Sequence, residues 1–150
     1  MWRDFALASL HHVLVVGLIA MLASEMALLR GRPDATALQR LGRLDIGYGL
    51  TATALLVVGL LRVFQGLKGA DFYLHNPWFH AKAGAFLLAA LLSLVPTLAY
   101  ARWRRALRDD AGFVPDAAAW ARAARLVRVQ LALIVVIVIA AAGMARYGGL

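Results

Sequence analysis

The chain contains no cysteine. That absence removes disulfides, thiolate metal centres and a cysteine nucleophile, and leaves the redox state of the compartment unreadable. Acidic residues are scarce as well: eight Asp and Glu stand against sixteen Lys and Arg, for a net charge of +8 and a pI near 11.1. So basic a chain suits nucleic acid in principle, but the arginines flank apolar runs, with Trp103 alone set directly between two of them, rather than alternating with a series of aromatic residues as a base-stacking surface requires. Nucleic acid is therefore set aside as a partner. The four histidines show neither HxxxH nor HExxH spacing, so the helical zinc motif is missing too. There is no internal repeat and no low-complexity segment. A signal peptide is also not evident. The start lacks a basic region beyond Arg3, and its apolar run is too long for the hydrophobic part of a leader. The first segment is read as retained.

What is present in abundance is apolar. The 150 residues are 63% hydrophobic, with mean hydropathy +0.74, where soluble domains run at about 45–50%. Runs of about 20 apolar residues mark transmembrane helices, and four occur, near residues 5–29, 46–67, 78–100 and 126–145. The expected fold is an all-α integral membrane four-helix bundle, one transmembrane domain using residues 1–150. Arg30, Arg32, Arg40 and Arg43 follow the first run. Arg102, Arg104, Arg105, Arg108, Arg122, Arg125 and Arg128 lie between the third and fourth. By the positive-inside rule both loops are cytoplasmic, which gives an N-out, C-out topology. The same arginines suit contact with anionic lipid.

Local signals punctuate the spans. Trp2 suits an interfacial anchor, and Arg30-Gly31-Arg32-Pro33 ends the first helix. Asp34 is the expected N-cap of a short helix, TALQRLGRL, leading into the second span, which Gly66 and Gly69 terminate. Asn76 with Pro77 behind it is the expected N-cap of the third span. Pro96 removes one backbone hydrogen bond from that helix and should kink it. Residues 109–116, DDAGFVPD, read as the one real loop. From residue 117 an amphipathic stretch, AAAWARAARLVR, is expected along the inner interface before the fourth span. Small residues, Gly17, Gly47, Gly49, Gly59, Gly84 and Gly143 among them, allow close helix packing. They are consistent with a homodimer or a larger membrane complex.

Titratable side chains at membrane depth are costly unless paired or hydrated, so each is a functional candidate. With about 1.5 Å of rise per residue, His11, Arg62 and Lys82 fall in one layer on the outer side. His12, Gln65, Lys68, Tyr73, His75, His80 and Arg146 cap it. On the first helix, residues 11, 15, 18, 22, 25 and 29 form one stripe, as do 45, 48, 52, 55, 59 and 62 on the second. His80 and Lys82 lie about 200° apart around the third helix, so if Lys82 points inward, His80 lies toward the rim. At the inner end stand Glu25, Asp45 and Tyr48 beside Arg43 and Arg102. The expectation there is ion pairs that fix helix ends.

The outer layer offers groups to several classes of ligand. Zinc has histidines enough but no ligand spacing. Copper would fit imidazole plus thioether, yet Met21 and Met26 lie at the wrong depth, leaving Met1 and Met144. Haem needs an axial ligand, cations for its propionates and apolar walls. His11 or His12 would ligate the iron, with Arg62, Lys68 or Lys82 at the propionates. Interfacial histidines with no cofactor at all remain the other reading.

The strings LHHVLVVG, WFHAK and RLVRVQLALIVVIVI resemble the HemJ/CopD-like group of small bacterial membrane proteins. Within that group, the pattern is most similar to an uncharacterised family of four-helix inner-membrane proteins known as a domain of unknown function. The resemblance extends over nearly the whole chain. HemJ-type proteins are associated with protoporphyrinogen IX oxidation and bound haem b, and their key first-helix histidine and third-span lysine correspond to His11 and Lys82. The resemblance thus implies a bacterial inner-membrane protein binding haem b or a porphyrin, with His11 and Lys82 as its key residues. On the depth reading, His11 is the metal ligand, Arg62 joins Lys82 near the propionates, and His12, His75 or His80 compete for the second ligand position. The chain departs from HemJ-type proteins at Leu18, where their first helix continues to an aromatic and a Pro-Arg pair. It departs again at VQLAL in the last span, which lacks their carboxylate and proline. A non-enzymatic accessory subunit or small transporter without a cofactor is the competing expectation.

Overall fold

The computed structural model describes residues 2–65 and 69–147, with side chains described for 2–64 and 71–146. Four long helices dominate: α1 over Trp2–Arg30, α2 over Ala35–Gln65, α4 over Pro77–Asp109 and α5 over Ala117–Tyr147. A six-residue helix, α3 over Gly69–Leu74, joins α2 to α4. Four segments, Trp2–Arg30, Ala35–Phe64, Pro77–Asp109 and Ala117–Arg146, are long and apolar enough to cross a membrane. The chain is an all-helical four-helix membrane bundle. Neighbours around its ring are α1–α2, α2–α4, α4–α5 and α5–α1, so α1 faces α4 diagonally and α2 faces α5. Both ends of the described chain lie at one end of the bundle, with the histidines. The two arginine-rich connections lie at the other.

Helix starts follow from side-chain caps that satisfy otherwise unpaired backbone N–H groups. Asp34 accepts from Ala37 N at 2.7 Å, and Asn76 accepts from Trp78 N at 2.9 Å with Pro77 in the first turn. Asp116 accepts from the N–H groups of Ala118 and Ala119 at 3.0 and 3.1 Å. The loop is confined to residues 110–116, close to expectation. α4 continues through Pro96, which is fully buried.

The faces divide as a membrane bundle requires. Val13, Val16, Leu50, Leu56, Leu87, Leu91, Leu94, Val135 and Ile139 are exposed. Contiguous apolar exposure of this extent is costly in water and favourable against acyl chains. The core runs through Leu18, Leu22, Met26, Leu29, Leu38, Leu41, Leu55, Trp103, Trp120, Val127 and Ile134, and is concentrated in the arginine-rich half.

Two elements differ from the sequence reading. The short helix expected at TALQRLGRL and the interfacial stretch expected at AAAWARAARLVR are the first turns of α2 and α5, without a break. Their apolar stripes, Ala37, Leu38 and Leu41 on one and Trp120, Ala123 and Val127 on the other, are buried in the bundle. Helical partners offered at that level cover those stripes better than a membrane surface would. The α1 end is tied in by Trp120 Nε1 donating to Leu29 O at 3.0 Å. Tyr100, Trp103 and Trp120 stack in sequence, each pair of ring centroids 5.6 Å apart. At about 1.5 Å per residue, helices of 29 to 33 residues reach about 44–50 Å, well past a hydrocarbon core of about 30 Å. The second difference is α3, absent from the sequence reading of the connection.

At the histidine end, Gly143 of α5 lies under the ring of Trp78. A Cβ there would meet ring atoms at 2.7–2.9 Å, so only glycine lets α4 start this close to α5.

Candidate functional site

Two polar layers occupy the inward faces. The first is built by α1, α2 and α4 near the histidine end. His11 heads the inward stripe of α1, whose continuation Leu18, Leu22, Glu25 and Leu29 is buried. Opposite it on α2 stands Gly59, where a Cβ would lie 3.9 Å from His11 Cε1. One turn further along the same stripe is Arg62. Lys82 lies on the stripe of α4 that continues through the buried Ala85, Ala89, Pro96, Tyr100 and Trp103. His11, Arg62 and Lys82 are all half-buried. Lys82 and Arg62 are the charges that act most on His11, and Arg62 in turn acts on Lys82.

The other candidates from the sequence lie outside this cluster. His12 is exposed, its Nδ1 2.6 Å from the carbonyl oxygen of Ala8 on the turn above. His80 is exposed, with Nε2 2.9 Å from Leu74 O, where it closes the end of α3. His75 is exposed and paired with Asp71 at 3.2 Å. Arg146 is exposed, and Tyr73 is buried against Phe79. Lys68 and the side chain of Gln65 lie outside the described residues, as does Gly66. Gly69 opens α3.

The charge balance of this layer is one-sided. The one ion pair among the described residues is His75–Asp71 at the rim, so Arg62 and Lys82 face His11 without a carboxylate. His11 Nδ1 is buried and has no hydrogen-bond partner. Two cations and an unpartnered imidazole at membrane depth, each costing about 3 kcal/mol if left unpaired, fit an anionic ligand that also offers something to a ring nitrogen. Among the described residues no three His, Cys, Asp or Glu side chains are grouped to hold a metal ion by themselves.

The second layer lies in the arginine-rich half and draws on all four long helices. Tyr100 on α4 donates across the bundle to Glu25 Oε2 on α1 at 3.4 Å, and Thr97 donates to Asp45 Oδ1 on α2 at 2.7 Å. Tyr48 lies under the influence of both carboxyl groups. Gln130 on α5 is buried and donates weakly to Leu126 O at 3.5 Å. The ion pairs expected here are absent. No arginine comes within pairing distance of Glu25 or Asp45 among the described residues. Arg102 and Arg43 are both exposed, and Arg102 Nε donates to Leu98 O at 3.2 Å. The reason is helical phase. Each arginine sits two positions from an inward residue, Arg102 from Tyr100 and Arg43 from Asp45, which turns it about 200° away.

Thr97, Tyr100 and Gln130 were not picked out by the sequence reading. Their signal was the α4 stripe on which Lys82 already stood and, for Gln130, a lone amide in an otherwise apolar span. Between the two layers the inward faces are dry, with Leu14, Val15 and Leu18 from α1, Ala52 and Leu55 from α2, Phe86 from α4 and Ile134 from α5.

With this geometry in place, comparison with known proteins adds one decisive match. The model of one family, described as predicted membrane protein (DUF2214), covers residues 3–149. The chain belongs to DUF2214. No curated protein and no solved structure matches it. The DUF2214 match spans both polar layers and all four long helices, so family and fold describe the same unit.

Proposed function

We propose that this DUF2214 protein of the bacterial inner membrane binds haem b, or a closely related porphyrin, in the layer formed by His11, Arg62 and Lys82, in a redox role similar to that of HemJ-type proteins. The observation that carries the reading is the buried Nδ1 of His11, without a partner and faced by two cations that have no carboxylate among the described residues. Haem b combines what that layer lacks: a metal centre for an imidazole and two carboxylates for cations. The residues fit the group. His11 would supply the axial nitrogen, Arg62 and Lys82 would meet the propionates, and Gly59 leaves the imidazole uncrowded on the α2 side. The resemblance of LHHVLVVG and WFHAK to HemJ-type sequences supports the same pair, His11 and Lys82. When bound, haem supplies an iron that changes oxidation state by one electron.

Within one chain the second axial position has no evident histidine. His12, His75 and His80 are exposed and engaged with carbonyl oxygens or Asp71. The reading is tested by purifying the full chain from cells supplied with haem precursor. A Soret band that copurifies with wild type and is lost or strongly shifted in His11→Ala is the expected result. Purified protein without haem absorbance, even after haem supplementation, contradicts it and brings forward a cofactor-free accessory subunit or small transporter.

A further inference from the structure

The second layer holds two carboxyl groups without a cation, and they differ in access. Glu25 is 2% exposed, whereas Asp45 is half-buried. One oxygen of each is engaged, Glu25 Oε2 by Tyr100 and Asp45 Oδ1 by Thr97. Glu25 Oε1 is buried with no partner, and so is Gln130 Oε1 on the neighbouring α5. Both unpartnered oxygens are acceptors as they stand, so what the cluster lacks is a donor.

No cation pairs with either carboxyl group among the described residues; Arg104 of α4, partly buried, lies across Gly42 one turn from Asp45 without pairing with it. From α2 the titratable groups facing Glu25 are Asp45 and Tyr48, and from α4 the group is Tyr100. α5 presents Trp120, Ala123, Val127 and Gln130 on its buried stripe, with no titratable side chain, while Arg122, Arg125 and Arg128 are exposed. Two like charges held in a region of low dielectric cannot both be kept at modest cost. Glu25 and Asp45 bond to Tyr100 and Thr97, one turn apart on α4, and neighbouring carboxyl groups that cannot both ionise share a proton. Ionisable groups placed so inside a membrane bundle also mark proton and ion pathways.

Toward the histidine end the dry zone of Leu14, Val15, Leu18, Ala52, Leu55, Phe86 and Ile134 separates the two layers. His11 and Glu25 stand 14 residues apart on α1, about 21 Å along the axis. Thr97, the partner of Asp45, lies one turn nearer the histidine end of α4 than Tyr100, the partner of Glu25, so Asp45 is the deeper and the more exposed of the two.

We propose that Glu25 and Asp45 hold one exchangeable proton between them, loaded through Asp45, the more exposed of the two carboxyl groups. On loading, an O–H bond of a hydronium ion or buffer acid breaks and an O–H bond forms on the Asp45 carboxylate. The proton then passes to Glu25, where it supplies the missing donor at Oε1. Unloading reverses both steps, and no electrons move. The site is separate from the histidine layer and does not depend on a ligand there.

The chain contains a single glutamate, Glu25, which makes the test direct. Full-length protein labelled with carboxyl-13C glutamate is studied by infrared spectroscopy in detergent at neutral pH. The expected spectrum has a carboxylic-acid carbonyl band that shifts with the label and moves again on exchange into D2O. Glu25→Gln should remove the band, and Asp45→Asn should retain it but slow its D2O shift at least several-fold. Three results would overturn the proposal: a labelled carboxylate band with no acid band, an acid band that carries no glutamate label, or a labelled acid band indifferent to D2O. The labelled wild type decides all three even if a variant fails to fold.

Discussion

His11, Arg62 and Lys82 come from helices far apart in sequence, and each is held by its position on an inward stripe rather than by a salt bridge. That arrangement makes Lys82 the sharpest residue-scale test. Lys82→Met keeps the apolar length of the side chain and removes the charge, so the bundle should insert while retention of the bound porphyrin falls at least tenfold. Haem content per purified chain measures it, and wild-type retention would mean that Lys82 only snorkels toward the interface. His75→Ala and His80→Ala, at exposed positions engaged with the ends of α3, should each leave the Soret band nearly intact. At this scale the inward stripes were legible, because a 3.6-residue period assigns positions 11, 15, 18, 22, 25 and 29 to one face of any helix. The partners of Glu25 and Asp45 were not. A shared level at the inner end suggested Arg43 and Arg102, while helical phase turns both away and brings Thr97 and Tyr100 in from α4 instead.

Among the elements, the starts of α2 and α4 were readable from Asp34 and from Asn76 with Pro77, because capping is local chemistry. Where α2 and α5 pass through the expected membrane boundary was not readable. Continuity there is decided by burial of Leu38, Leu41, Trp120 and Val127 against other helices, and that is tertiary information. Asn76→Ala removes the acceptor for Trp78 N and should cost about 1 kcal/mol, seen as a lower thermal midpoint in detergent. The α4–α5 contact offers a paired test. Gly143→Ala places a methyl group against the Trp78 ring, and overpacking of this kind costs about 1–3 kcal/mol. Gly49→Ala, with nothing within 4 Å of the added carbon, should change stability by less than about 0.5 kcal/mol. Equal effects in the two variants would show that Trp78 does not rest on Gly143.

For the whole molecule, composition and four apolar runs were enough to specify an all-helical membrane bundle, and the DUF2214 match agrees with that class. Orientation rests on charge. Eleven of sixteen Lys and Arg residues lie on or beside two connections at one end, so those connections should face the cytoplasm. A periplasm-active reporter fused after Leu150 should therefore be active, whereas activity of a cytoplasmic reporter there would reverse the bundle and place the histidine layer on the inner side. The same sidedness decides what the site meets. In the expected orientation a porphyrin held by His11 lies toward the periplasm, while the Glu25–Asp45 pair lies in the cytoplasmic half of the bundle. The claim on which this division depends is that the histidine layer takes one haem per chain. Its most direct measurement is a titration of haem-free purified protein with hemin in detergent, followed at the Soret maximum. A saturable shift ending at one equivalent, with a b-type pyridine haemochromogen and no such shift in His11→Ala, is the predicted result. A spectrum that stays that of free hemin in detergent at every ratio, or one identical in wild type and His11→Ala, would contradict it.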